Sequence, residues 1–391
     1  MKVVDVCEFY SPQGGGVRTY IQAKLALAAR LGHEAVVIAP GDRDEEVRLA
    51  GGGRILFVRS PRLPVDPRYW MFWDAEPIHR LLDIERPDMV EASSPWRGAW
   101  IVRGWRGAAA RSIFMHNDPL SVWGYRWFDG LVPRPRVDRW FEGMWRYLRR
   151  TCEGFDFVVS AAPSLSERLA AQGIGGTVTV PLGVDAGVFS PERRDARLRR
   201  ELLARCGLDE SRPLLLGVGR HTPEKRWPCV IEAVTRLAAD RPVGLVLVGD
   251  GHDRARVLAG IGGNPHILPL APIGDRALMA RLMASADALV HGSAAETFGL
   301  VVAEAMASGL PIVAPCEGAV ADLADPSTSE LYPCGDSRGA AAALERLLYR
   351  DPSRLRQATL AVAGRARTID VHLAELFSHY AEALPGSRRA A

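Results

Sequence analysis

The chain has 391 residues, more than one hydrophobic core ordinarily serves, so two domains are expected. Apolar residues make up 48% and charged residues 24%, the balance of a globular protein, and a net charge of +3 is too small to suggest a hold on nucleic acid. Asp5 interrupts the first apolar run, which argues against a signal peptide, and no uncharged apolar stretch of about 18 residues is present to cross a bilayer, so a cytoplasmic protein is expected.

The elements alternate along the chain. Val3 to Cys7 reads as a strand, Pro12 to Gly16 as a glycine loop, and Val17 to Leu31 as a helix with one broad apolar face. Gly32 stops that helix before a strand at Ala35 to Ala39. Further strands are expected at 55–58, 89–92, 113–115, 157–160 and 178–180, and the segment 137–150 is helical in pattern. An Arg-rich, proline-punctuated stretch from 186 to 213 reads as a linker region with a short helix. The pattern then restarts with strands at 214–218, 245–248, 267–270, 288–291 and 311–314, and closes with an amphipathic helix from Ile369 to Leu384. Such alternation implies an α/β protein with parallel sheets covered on both faces. Two Rossmann-like domains are expected, at 1–185 and 186–370, with residues 371–391 as a C-terminal helix returning to the first domain. Ligands of such sheets sit at the carboxyl ends of strands, so the loops that follow strands are the places to search.

The six cysteines are scattered without a C-x-x-C pair and read as reduced core thiols. Of the 49 basic side chains only three are lysines, Lys2, Lys24 and Lys225. A lysine at a motif position therefore suggests that a compact ammonium is wanted there. Lys225 closes the run Gly217-Val218-Gly219-Arg220-His221-Thr222-Pro223-Glu224-Lys225, between a strand and a helix. Glycines admit an anion close to the backbone, and Arg220 with Lys225 would supply a fork and a point charge for a diphosphate. An ordinary strand-to-helix turn with solvated charges is the alternative. The second constellation runs from Glu296 through Phe298-Gly299-Leu300 to Glu304, Gly309 and Pro311. It places a carboxylate in a helix of otherwise apolar and small residues, where it needs a partner.

These residues resemble the E-x7-E motif of glycosyltransferase family 4, with its E-x-F-G-L-x-x-x-E-A-M-A-x-G-x-P continuation over residues 296–311. The 217–225 run resembles that family's donor-phosphate motif, and Val248-Gly249-Asp250-Gly251 its next strand end. Pro181-Leu182-Gly183-Val184-Asp185 is similar to its interdomain segment, with Leu182 in place of Asn. The resemblance implies a GT-B fold, two Rossmann-like domains about a cleft, and transfer of a hexose from a UDP- or GDP-sugar to a lipid, lipid-linked or saccharide acceptor, with retention of configuration and without metal or cofactor. It further implies that Arg220 and Lys225 bind the donor diphosphate, that Glu296 touches the transferred sugar, and that Glu304 accepts from the ribose hydroxyls. Amides at Phe298, Gly299 and Leu300 would hold phosphate and sugar, Gly15 and Gly16 would let the first domain approach the phosphate, and His116 would be the active-site histidine.

Other classes fit less well. A nicotinamide dehydrogenase would need a third glycine where Thr19 stands and an acid at the next strand end, where the chain has Ala39-Pro40-Gly41. A metal-dependent transferase could use Asp42-Arg43-Asp44, but that triplet lies in a run of alternating surface charges. A sugar-nucleotide epimerase and a non-catalytic sugar-nucleotide binder are separated from the transferase by the resemblance and by the intact set Arg220, Lys225, Glu296 and Glu304. Nine of the ten tryptophans fall between residues 70 and 145, and Trp127 and Trp140 are interleaved with Arg126, Arg134, Arg136 and Arg139. That mixture suits an anionic membrane surface on the inner face of the cell membrane, a packed core, or an acceptor cleft.

Overall fold

The computed structural model describes residues 1–10, 16–64, 69–116, 118, 120–121, 124, 128, 132–185 and 187–384, apart from the side chains of Arg134 and Asp240. The chain forms two units. The first takes Met1–Asp118, Trp140–Pro181 and Ile369–Ala391, the second Pro119–Arg139 and Leu182–Thr368.

In the first unit the strands are β1 (Lys2–Val6), β2 (Glu34–Gly41), β3 (Glu45–Arg48), β4 (Arg54–Arg59), β5 (Met89–Ala92), β6 (Ala110–Phe114), β7 (Phe157–Ser160) and β8 (Thr177–Thr179). They form one sheet in the order β3-β4-β2-β1-β5-β6-β7-β8. Every described pairing is parallel except β3 with β4. Periodicity did not point to β3, because Glu45-Glu46-Val47-Arg48 has only one apolar residue. It is an edge strand whose charges face water, a common protection of an exposed edge. The segment 137–150 is two helices rather than one, Arg134–Trp140 and Glu142–Cys152, broken at Phe141.

The strand order reverses between β1 and β5, where Asp5 and Glu91 are register partners. Two adjacent carboxylates inside a sheet face require a cation. The helix Gly16–Arg30 supplies it: Lys24 Nζ lies 3.0 Å from Asp5 Oδ2 and 2.6 Å from Glu91 Oε1, with all three side chains almost fully buried. Ser93 donates to Asp5 Oδ1 at 2.6 Å, and Tyr380, from the helix Ile369–Ala383, donates to the other Glu91 oxygen. Burial pushes the Glu91 carboxyl up to about 7, while Lys24 pulls it back. The last helix is thereby tied to the sheet by a polar bond as well as by buried Leu373, Leu376 and Phe377.

In the second unit the strands are β9 (Leu214–Val218), β10 (Gly244–Val248), β11 (Ile267–Leu270), β12 (Ala288–Val290), β13 (Ile312–Pro315) and β14 (Ser329–Tyr332), in the order β11-β10-β9-β12-β13-β14. All are parallel, and alternate residues feed two apolar clusters, one on each face: Leu214, Leu216, Val246 and Leu289 in one, Leu215, Leu245, Leu247 and Val290 in the other. The order is that of a doubly wound sheet, and its reversal lies between β9 and β12.

Removing the ammonium at position 24 leaves two neighbouring carboxylates buried. Lys24→Met is expected to cost about 3–5 kcal/mol in urea unfolding, and Tyr380→Phe about 1.5–3 kcal/mol, the value of one hydrogen bond to a charged acceptor. A Lys24→Met loss below about 1 kcal/mol would show that the pair contributes no net stability.

Candidate functional site

Sheets of this order bind ligands at the strand ends where the order reverses, here between β9 and β12, and the loops at that place are held by glycines. A Cβ on Gly249 would fall 1.9 Å from the Gly219 carbonyl oxygen, one on Gly251 2.3 Å from the His221 oxygen, and one on Gly292 2.6 Å from the Lys225 oxygen. The loops after β9, β10 and β12 thus meet backbone to backbone, which side chains there would prevent. Hydrogen bonds complete the contact: Gly219 N to Val248 O at 3.0 Å, and His221 N to Asp250 O at 2.7 Å.

Beneath the β9 loop lies buried Trp227, whose indole nitrogen donates to Arg220 O at 2.9 Å. Residues Pro223–Lys225 make one 3-10 turn, and Arg226 takes a left-handed φ of 50° before the helix Trp227–Asp240. A non-glycine residue there costs about 1 kcal/mol, so the loop is held against its own preference, with Pro228 in the first turn of the helix that follows.

Lys225 Nζ is paired with Glu296, and His291 Nε2 lies 3.2 Å from the same carboxylate oxygen. Burial pushes the Glu296 carboxyl up, but the Lys225 charge and the His291 contact outweigh it and hold it far below the usual range. It is an ionised carboxylate in a poorly solvated place, able to accept further hydrogen bonds. Glu304 is the opposite case. Its helix, Leu300–Ala307, is apolar, and the buried carboxyl has Arg276 at 3.4 Å. Burial pushes it up to about 7; Arg276 opposes this and Asp185 adds to it. Arg276 is itself seated over the Phe189 ring. Gly299, with φ of 84°, caps the start of that helix, and the amides of Gly299 and Leu300 precede its first hydrogen bond, Val302 N to Gly299 O. Phe298 is buried beside them.

The structure therefore brings Lys225 to Glu296, and it sets Gly299 and Leu300 at a helix start. It does not bring Arg220 into this cluster: its side chain is 70% exposed and 3.6 Å from Glu224. Spacing also gave no warning of His291 or Arg276. A histidine one residue beyond the end of β12 was a usable signal for the first; nothing in the sequence marked the second.

His116, Gly15 and Gly16 belong to the first unit. His116 follows β6, stacked on Phe114 with centroids 4.1 Å apart and edge-on to Tyr20 at 5.0 Å. Burial pushes the imidazole down to about 4, with Asp5 pulling the other way, so it is neutral at pH 7. Tyr20 is fixed by His372, whose Nε2 lies 3.2 Å from the Tyr20 hydroxyl and whose Nδ1 lies 3.0 Å from Pro181 O. Asp118 pairs with Arg168. Gly16 opens the first helix with open space where a Cβ would stand, and Gly15 lies outside the described residues. In the D-x-D triplet, Asp44 accepts from the Arg59 amide at 2.7 Å, a structural use of that carboxylate.

Comparison with known proteins gives the class. The model for "Glycosyltransferase Family 4" matches residues 14–188, and the model for "Glycosyl transferases group 1" matches residues 212–350. The chain is similar over its full length to sucrose-phosphate synthase from Thermosynechococcus elongatus, with a TM-score of 0.76, 18% identity, and 98% and 99% of the two chains covered, which establishes the GT-B fold. Among relatives, a GDP-mannose-dependent alpha-mannosyltransferase of Mycobacterium tuberculosis is 32% identical over 99% of this chain and 98% of its own. A second protein of that organism, a GDP-mannose-dependent alpha-(1-6)-phosphatidylinositol dimannoside mannosyltransferase, is 31% identical over 88% and 86%. The chain belongs to the family 4 glycosyltransferases, and its activity is glycosyl transfer.

Proposed function

We propose that the protein moves a mannosyl group from GDP-mannose to a lipid-linked or saccharide acceptor, retaining the anomeric configuration and needing no metal. The donor follows the names of the full-length relatives. The observation that carries the site is Glu296, half-buried at the switch point of the second sheet and kept ionised by Lys225 and His291.

In the reaction the bond from C1 of the sugar to the diphosphate breaks, and its electron pair leaves on the diphosphate oxygen. The acceptor hydroxyl oxygen bonds to C1 on the same face, and its proton passes to the leaving oxygen. The barrier lies in separating charge, so the protein must stabilise the diphosphate and the electron-poor sugar. Arg220 and Lys225 serve the diphosphate as fork and point charge, together with amides at Phe298, Gly299 and Leu300. The exposure of Arg220 leaves its guanidinium free to swing onto a phosphate at little cost. Glu296 accepts hydrogen bonds from the sugar hydroxyls, and Glu304 from those of the ribose. His116, Gly15 and Gly16 take their roles from the family resemblance: His116 as a neutral hydrogen-bonding group at the reacting sugar, the glycines as backbone near the phosphate.

Lys225→Ala, Arg220→Ala and Glu296→Ala are each expected to lower turnover at least about a hundredfold, as losses of single charged contacts to a developing charge do. EDTA should leave the wild-type rate unchanged. Near-normal rates in all three variants, or a loss in EDTA restored by manganese, would overturn the proposed site.

Donor binding should also depend on pH through Glu304. Ribose hydroxyls require the carboxylate, whereas in the free protein the group titrates at about 7. Binding therefore releases a proton, and affinity is full above that pH and falls by about tenfold per unit below it. Calorimetry with GDP-mannose, whose diphosphate does not titrate in this range, should give that slope in the wild type and a flat profile in Glu304→Gln. A flat wild-type profile would remove Glu304 from the ribose.

We further propose that the protein works at an anionic membrane surface as a peripheral protein. The helix Arg134–Trp140 supports this reading: Trp140 is exposed, as are Arg136 and Arg139. Trp123, Trp127 and Arg126 lie outside the described residues. Trp70, Trp105 and Trp145 are buried, so part of the tryptophan cluster is core. The protein should co-sediment with phosphatidylserine vesicles at low salt, less at high salt, and less after Arg136→Ala, Arg139→Ala and Trp140→Ala together. No sedimentation at low salt, with full activity on a soluble acceptor, would sink the idea.

A further inference from the structure

At the carboxyl ends of β2 and β4, within the first unit, is a cavity of about 760 Å³. Its walls include Asp42, Arg59, Arg62, Trp70, Trp73 and Asp74. None of these residues belongs to the donor set or to the cluster around His116.

The walls have a definite build. Residues 61–63 lie against residues 69–71, with Leu63 N bonded to Tyr69 O at 2.8 Å and Met71 N to Pro61 O at 3.0 Å. This sets Arg62 opposite Trp70, its guanidinium 4.8 Å over the indole. The next wall is fixed from outside, because Arg97 donates to the Trp73 carbonyl at 2.8 Å. Trp73 itself is 70% exposed. The Asp42 carboxylate and the Arg59 guanidinium form no ion pair among the described residues.

A held backbone that presents an exposed indole beside a carboxylate and a guanidinium without ion-pair partners among the described residues suits a ligand with one apolar face and several hydroxyls. The charges narrow the class. Among the described wall residues two carboxylates stand against two guanidiniums, so these walls carry no net charge to gather phosphate or an anionic headgroup. Carboxylate and guanidinium each offer paired acceptors or donors, which suit vicinal hydroxyls. The C–H face of a sugar ring suits the indole.

We propose that this cavity is a neutral-saccharide subsite that holds a sugar of the acceptor away from the reacting hydroxyl. The assignment of its occupant to the acceptor rests on the transferase reading above; the binding site itself does not.

The test uses the full chain and a soluble mannobiose, followed by saturation-transfer NMR, with inorganic phosphate as the competing probe. Mannobiose should bind saturably, and phosphate should not displace it. Trp73→Ala, at an exposed position that leaves the core intact, should weaken binding by up to about tenfold, the value of one lost aromatic contact. An Asp42→Asn, Arg59→Gln variant should do the same. With a mannose-terminated acceptor, Trp73→Ala should raise the acceptor KM by a similar factor while leaving the KM and kcat for donor hydrolysis unchanged. Absence of saturable mannobiose binding, equal binding by Trp73→Ala, or displacement by phosphate would overturn the subsite. Wild-type protein that binds mannobiose here yet consumes no GDP-mannose would overturn the transferase reading instead and leave the subsite standing.

Discussion

A buried ammonium between two carboxylates is the interaction on which the first unit depends. Asp5 and Glu91 face the same side of adjacent strands at the reversal of the sheet, and they can be buried together only because Lys24 stands between them. The cost of desolvating three charges is offset by their short contacts, by Ser93, and by Tyr380, which draws the last helix of the chain onto the sheet. In the second unit Lys225 stands against one carboxylate, Glu296, with His291 3.2 Å from the same oxygen. Lys2 completes the set, paired with Glu34 and Glu85. All three lysines of the chain stand against carboxylates, and at Lys2 an arginine, Arg54, shares both of them.

Around the second of these pairs the site is shaped by backbone rather than by side chains. Gly219, Gly249, Gly251 and Gly292 let three strand-end loops touch directly, and the left-handed Arg226 aims the start of the next helix. These loops lie where the strand order reverses, the one place where neighbouring loops diverge to opposite faces and leave room for a ligand.

Glu296 and Glu304 show how surroundings divide two like residues. Both are largely buried. Glu296 has a lysine and a histidine against it and stays charged; Glu304 has one arginine at 3.4 Å and is poised near neutrality. A carboxylate with its charge already neutralised can take sugar hydroxyls at any physiological pH. One that must first lose a proton couples binding to pH.

The sequence alone determined the fold class. Alternating apolar runs and helical faces, twice over, imply covered parallel sheets, and the strands β1, β2, β4 to β8 and β9 to β13 lie where periodicity puts them. It missed β3, whose charges conceal a strand that needs no apolar face at an edge, and β14, whose Ser329-Glu330-Leu331-Tyr332 gives too short an alternation. It also ran two helices together across Phe141, because hydrophobic spacing does not register a local break. Spacing and composition were enough to single out Lys225 and Glu304, since scarce lysine and a carboxylate in an apolar helix are anomalies visible in one dimension, whereas Glu296 stood out through the family resemblance. Only the tertiary structure decided that Lys225 meets Glu296 across 71 residues, that His291 joins them, that Arg220 faces water, and that Lys24 is bound between Asp5 and Glu91. Those outcomes depend on which strands become neighbours, and strand order is fixed by packing between segments far apart in the chain, about which local pattern carries no information.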